Sequence, residues 1–312
     1  MSRPAPGTPS STVTPAAASR APFGARLAAA MDDHGPLCAG IDPHAALLDA
    51  WGLQDTADGV REFSLRVVDA LAGHVAAVKP QAAFYERHGS AGLAALEDTL
   101  AAARAAGVLT VVDAKRGDIG STMSAYADAF LADRSPLAGD ALTVSPYLGF
   151  GSLAPAVDLA ATTGRGLFVL CLTSNPEGPE VQHARAGTRP DGAVQGDAAP
   201  GPSVAALVAA HAAALNAGAA PLGSVGLVVG ATIGDAVRAT GTDLAAVNGP
   251  LLAPGVGAQG AGERELATTF GAARGNVLAS SSRAILRAGP APGDLRAAAR
   301  TAAEAARRAL RG

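Results

Sequence analysis

Residues 37–47 read LCAGIDPHAAL. A short apolar run passes through Asp42-Pro43 into an Ala- and Leu-rich stretch with no glycine fingerprint in the turn. An open doubly wound sheet normally shows that fingerprint in its first βα turn. The pattern of apolar run and helix-compatible segment recurs at Val75 to Val78, Val108 to Val112, Ala141 to Val144, Leu167 to Leu172, Val225 to Val229, Leu251 to Ala253 and Val277 to Ala279. With Leu37 to Ile41 that makes eight candidate parallel strands, which favours a closed (β/α)8 TIM barrel of class α/β. The barrel is expected as one domain over residues 23–312. Residues 1–22, rich in Pro, Ser, Thr and Ala, are expected as a disordered tail.

The 312 residues are 49% hydrophobic, enough for a large core, and carry a formal net charge of −3. That balance gives no attraction for nucleic acid or an anionic membrane, so the expected partner is a small molecule. The tail lacks the apolar stretch of a secretory signal, and no segment offers the ~18 uninterrupted apolar residues of a membrane span. A cytoplasmic protein is expected. Cys38 and Cys171 each sit in an apolar run and read as buried reduced thiols rather than a disulfide or metal cluster. Residues 175–203, NPEGPEVQHARAGTRPDGAVQGDAAPGPS, interrupt the rhythm and are too rich in Pro and Gly for a helix. A lid and a solvated insertion both fit this segment.

In a barrel of this kind the working residues stand at the carboxyl ends of the strands. Here those ends carry Asp42, Lys79, Asp113 with Lys115, Ser145, Ser174, Gln259 and Arg283. Only two of the 24 basic residues are lysines, Lys79 and Lys115, and both close an apolar run. An ammonium can give up a proton where a guanidinium practically cannot, so the lysines mark the candidate chemistry. Asp113 and Lys115 are two apart and share a face if the strand continues. Lys79, Asp113, Lys115 and Asp118 are therefore expected to meet in one pocket of alternating charge. A structural ion-pair network at the barrel mouth is the competing reading. No metal ligand set is required, and the six histidines do not gather at these strand ends.

The loops after the seventh and eighth strands, APGVGAQG and ASSSRAIL, read as a phosphate site, the usual use of those loops in barrels. Gly255, Gly257 and Gly260 allow close backbone approach, Gln259 offers a neutral donor and Arg283 a two-pronged cation. Asp42 suits either ribose hydroxyls or a helix cap. Ser174 suits either a bound base or a turn, and Ser145 reads as a turn starter.

AGIDPH, AAVKPQAAFYERHG, VVDAKRGDIGST, TVSPYLGFGSL, LCLTSNP, LAPGVGAQG and SSSRAI, spread over residues 39–285, together resemble the orotidine 5′-phosphate decarboxylase family in its longer, type 2 bacterial form. The resemblance implies cofactor-free decarboxylation of orotidine 5′-phosphate to uridine 5′-phosphate, with no metal. It implies that Lys115 is the proton donor, that Asp113 lies beside the substrate carboxylate, and that Lys79 orders the network and touches ribose. Asp42 would hold ribose hydroxyls, Ser174 the pyrimidine amide, and Gln259 and Arg283 the 5′-phosphate. Asp118 and Thr122 would reach into the partner's site in a homodimer. Two rivals remain: a metal-assisted lyase acting on a sugar phosphate with Asp113 as magnesium ligand, and a non-catalytic barrel that binds a phosphorylated metabolite.

Overall fold

Eight parallel strands close on themselves in chain order, β1 pairing with both β2 and β8 in this computed structural model. Residues 20–187, 201–256 and 261–311 are described below. The strands are β1 Leu37–Ile41, β2 Ala77–Pro80, β3 Leu109–Arg116, β4 Ala141–Val144, β5 Gly166–Leu172, β6 Val225–Val229, β7 Leu251–Pro254 and β8 Val277–Ser281. All eight apolar runs became strands. β3 outgrows its run furthest, extending four residues past Val112 through Asp113 and Lys115.

Alternation along each strand divides the core in two. Outward residues such as Ile41, Val78, Val112, Leu142, Val169, Leu227 and Val277 pack under the surrounding helices. Inward residues Cys38, Ala77, Val111, Ala141, Phe168, Val228, Leu252 and Leu278 fill the barrel interior. The helix Phe23–His34, ahead of β1, adds Phe23 and Leu27 to that interior cluster. Phe23 meets Phe168 edge to face at 5.9 Å between ring centres, so the N-terminal end is plugged.

Around the plug lie arginine ion pairs. Arg26 reaches Asp140 at 2.5 Å, while Arg165 and Arg20 share Asp133 at 2.5 and 3.0 Å. Arg20 also donates to the carbonyl of Thr163, so residues 20–22, which the sequence assigns to the tail, lie against the barrel. The rest of that tail, residues 1–19, lies outside the described residues.

The outer helices begin where local chemistry permits. Thr56 accepts from the amide of Gly59 at the start of Ala57–Leu71, and Ser203 from that of Ala206 at the start of Val204–Leu215. The segment after β5 corrects one expectation, for it contains a short helix, Gly178–Gln182. Pro179 sits in its first turn, where the missing N–H is no loss. Gln182 clips that turn to the end of β5, its amide oxygen accepting from Thr173 N and its amide nitrogen donating to Thr173 Oγ1. Residues 188–200 of the same segment lie outside the described residues.

Candidate active site

Two positions beyond the apolar interior layer, the same inward faces turn polar. Ala77 is followed by Lys79, Val111 by Asp113, Ala141 by Thr143 and Leu278 by Ser280, all lining a cavity of about 670 Å³. That volume is ordinary for a small-molecule site. The cavity wall continues through Asp42, Gln81, Lys115, Gly255, Ser282 and Arg283.

Asp113 is the hub. Its Oδ2 accepts from Lys79 Nζ at 2.7 Å and Gln81 Nε2 at 3.1 Å; its Oδ1 accepts from Lys115 Nζ at 2.6 Å and Thr143 Oγ1 at 2.9 Å. Each carboxylate oxygen thus receives one ammonium and one neutral donor. Lys79 and Asp113 are both buried, each 7% exposed, whereas the Lys115 side chain is 45% exposed. Lys115 is therefore the ammonium that a ligand can reach.

Burial alone would raise the Asp113 carboxyl, but the Lys79 and Lys115 ammoniums and their hydrogen bonds overcome it and hold the pKa at about 2. Burial likewise works against charge on Lys79, and the Asp113 and Asp42 carboxylates outweigh it, moving its pKa above the ordinary lysine value. In the apolar layer beneath, burial pushes the Cys38 thiol up to about 12, so it stays neutral.

The end of β3 is bent to make this arrangement. Its register against β4 shifts between Val112 and Arg116, and Lys115 adopts φ +48°, a left-handed conformation uncommon outside glycine. Arg116 leaves the cluster for Glu86 and the ring faces of Tyr126 and Phe130, at 5.5 and 5.4 Å. At Gly117 a Cβ would lie 2.4 Å from the carbonyl of Ser145, so only glycine lets the chain turn there.

The remaining sequence candidates divide. Asp42 lines the cavity, and its Oδ1 is buried with no hydrogen-bond partner among the described residues. It does not cap the following helix, whose N-cap is His44, itself extended and without a side-chain cap bond. Arg283 is exposed at the cavity wall beside Ser282, whose hydroxyl is also buried without a partner among the described residues. Gly255, at φ +89°, lies in the wall as well. Gln259, with Gly257 and Gly260, lies outside the described residues.

Asp118 corrects the expectation of four charges in one pocket. The bend at Lys115 carries it past the rim, where its Oδ1 accepts from the Ile119 amide. It is not among the residues lining its own chain's cavity, nor is Thr122, exposed on the helix Gly120–Leu131. Ser174 is exposed beyond β5, also outside the cavity wall, and Ser145 donates its amide to the Arg116 carbonyl, carrying the β3–β4 pairing one residue past β4.

Gln81 and Thr143 are hub partners that the sequence candidates omit. For Gln81 a signal existed, since the two-residue step joining Asp113 to Lys115 also joins Lys79 to Gln81. For Thr143 there was none, because a threonine inside ALTV reads as an ordinary strand residue.

The profile of the orotidine 5′-phosphate decarboxylase / HUMPS family matches residues 35–300. The chain is 60% identical over 278 residues to orotidine 5′-phosphate decarboxylase of Streptomyces coelicolor, covering 89% of this chain and 94% of that protein. It is 56% identical over 290 residues to that of Salinispora arenicola, covering 93% and 99%. Among solved structures, Leishmania donovani OMP decarboxylase superposes with a TM-score of 0.68 at 31% identity, covering 93% of this chain and 99% of that one.

Proposed function

The chain belongs to the orotidine 5′-phosphate decarboxylase / HUMPS family and is a carboxy-lyase that decarboxylates orotidine 5′-phosphate in pyrimidine synthesis; we propose that Lys115 supplies the proton that completes the reaction, without metal or cofactor. The observation that carries this is the run Lys79–Asp113–Lys115, in which both ammoniums line the cavity and the last is far the more exposed, 45% against 9%.

Loss of carbon dioxide from C6 of the pyrimidine leaves an electron pair in the ring plane, where no neighbouring carbonyl delocalises it as an enolate. Stabilisation is therefore electrostatic. An ammonium ~3 Å away at an effective dielectric of ~20 supplies roughly 5 kcal/mol of the ~8 to 23 kcal/mol by which enzymes typically lower a barrier. Lys115 then gives its proton to C6, as an arginine there would not. Lys79, buried against the opposite Asp113 oxygen, keeps that carboxylate ionised and Lys115 in place. Asp113 lies beside the departing carboxylate. Both its oxygens are already taken by ammoniums, which argues against its use as a magnesium ligand.

For the remainder of the substrate, the buried and unpartnered Asp42 Oδ1 suits ribose hydroxyls. Arg283, together with Gln259 of the GAQG motif, suits the 5′-phosphate, and Ser174 the pyrimidine amide. Binding energy at the phosphate would be spent on closure and water exclusion around C6. Asp118 and Thr122, turned away from their own cavity, would complete the site of a second copy in a homodimer. Ile119, Tyr147 and Leu148, exposed by 62%, 75% and 53% on the neighbouring β3 and β4 loops, give that contact an apolar surface. Two free buried thiols suit a reducing cytoplasm, and no helix among the described residues is long and apolar enough to cross a membrane.

The test is turnover of orotidine 5′-phosphate, followed by loss of its ultraviolet absorbance before and after exhaustive chelation. Equal rates are expected. Loss of activity that added magnesium restores would overturn the cofactor-free reading.

A further inference from the structure

Between the paired positions Val112–Leu142 and Arg116–Val144, β3 contains Asp113, Ala114 and Lys115 while β4 contains only Thr143. Three residues thus oppose one, and the regular ladder is interrupted across them. The Lys115 amide finds a side chain in place of a ladder carbonyl: Thr143 Oγ1 accepts from it at 2.9 Å. The same hydroxyl donates its one proton to Asp113 Oδ1, also at 2.9 Å. Thr143 is 1% exposed, so no bulk water replaces either bond.

We propose that Thr143 is a positioning residue for the decarboxylation, its hydroxyl fixing the Lys115 backbone and the Asp113 carboxylate in one piece so that the ammonium stands where the proton is needed. This rests on the reading of Lys115 as the proton donor. An apolar side chain of the same shape leaves the part-buried Lys115 amide without this partner and one carboxylate oxygen short of a donor. Lys115 holds its left-handed φ of +48° within that frame, and the chain there relaxes once the hydroxyl is gone. Displacing a reacting group by an ångström costs about 100-fold in rate.

The experiment compares Thr143→Val, Thr143→Ala and Thr143→Ser with the unaltered protein in kcat, KM, melting temperature and the pH dependence of kcat. Turnover by the unaltered protein is read first, because its absence sinks the functional reading before any variant is considered. In the apolar variants kcat is expected to fall about 10- to 100-fold with KM within about threefold. The acid limb of the profile should also move to higher pH, since the carboxylate loses a donor that favours its charged form. Thr143→Ser, which keeps the hydroxyl, is expected within about threefold of the unaltered kcat. The proposal is overturned if an apolar variant turns over at the normal rate, if serine is as slow as valine, or if the loss lies wholly in KM. It is overturned too if neither apolar variant folds, since the role is then structural.

Discussion

Cation–carboxylate pairs stand at both ends of the barrel, and the cluster that faces the cavity uses a different cation from the pairs around the plug. At the plugged N-terminal end the partners of Asp133 and Asp140 are arginines 20, 26 and 165. At the open end Asp113 is held by Lys79 and Lys115, the only lysines in the chain. A guanidinium offers several fixed donors and keeps its proton, which suits a girdle around an apolar plug. An ammonium is compact and can part with a proton, which suits a cluster facing a cavity. Similar Coulombic contacts thus serve stability at one end and chemistry at the other, in keeping with the general division of labour in such barrels.

The comparison breaks most visibly at Lys115. Lys115→Ala is expected to lose about 1,000-fold or more in turnover while melting temperature and uridine 5′-phosphate binding are largely kept. Near-normal turnover removes Lys115 from the mechanism. Asp113→Asn leaves two ammoniums facing a neutral amide, one of them buried, and is expected to cost about 3 to 5 kcal/mol in denaturant unfolding besides impairing turnover. Unchanged unfolding would mean that the lysines do not depend on this carboxylate.

At the other end the effect is on stability alone. Phe23→Ala empties the plug and is expected to cost about 3 to 5 kcal/mol, with kcat per folded molecule nearly unchanged. A fall in kcat at full folding would show the two ends to be coupled. A smaller effect is the acid dependence of stability. Asp113 is lowered from 3.8 to about 2, so its contribution is complete above pH ~4 and is lost as pH falls through about 2. Urea unfolding at pH 5, 4, 3 and 2 should show this loss in the unaltered protein and lack it in Asp113→Asn. Equal slopes in the two proteins would contradict the assigned pKa.

How much of this was legible in the sequence depended on range. The eight strands were, because each is an apolar run beside a helix-compatible segment, and so was the pairing of Asp113 with Lys115, which needs only a two-residue step. β3 was read too short at Val112, since the residues that extend it are charged and find their partners on other strands. Asp118 follows on the loop, and spacing along the chain says nothing of where a loop turns after the bend at Lys115. Thr143 was invisible because its role exists only where β4 meets that bend. The plug was missed for a similar reason: nothing local tells Phe23 that Phe168 lies at the base of the same barrel.

The central claim is tested most directly by exchanging the cations at the two ends, Lys115→Arg and Arg26→Lys, and measuring turnover of orotidine 5′-phosphate by each folded variant. Lys115→Arg is predicted to keep positive charge beside Asp113 yet lose about 1,000-fold in kcat, while Arg26→Lys keeps its kcat and melts a few degrees lower, consistent with ~1 kcal/mol. Turnover by Lys115→Arg close to that of the unaltered protein would contradict the account, for charge alone would then suffice where a transferable proton is claimed.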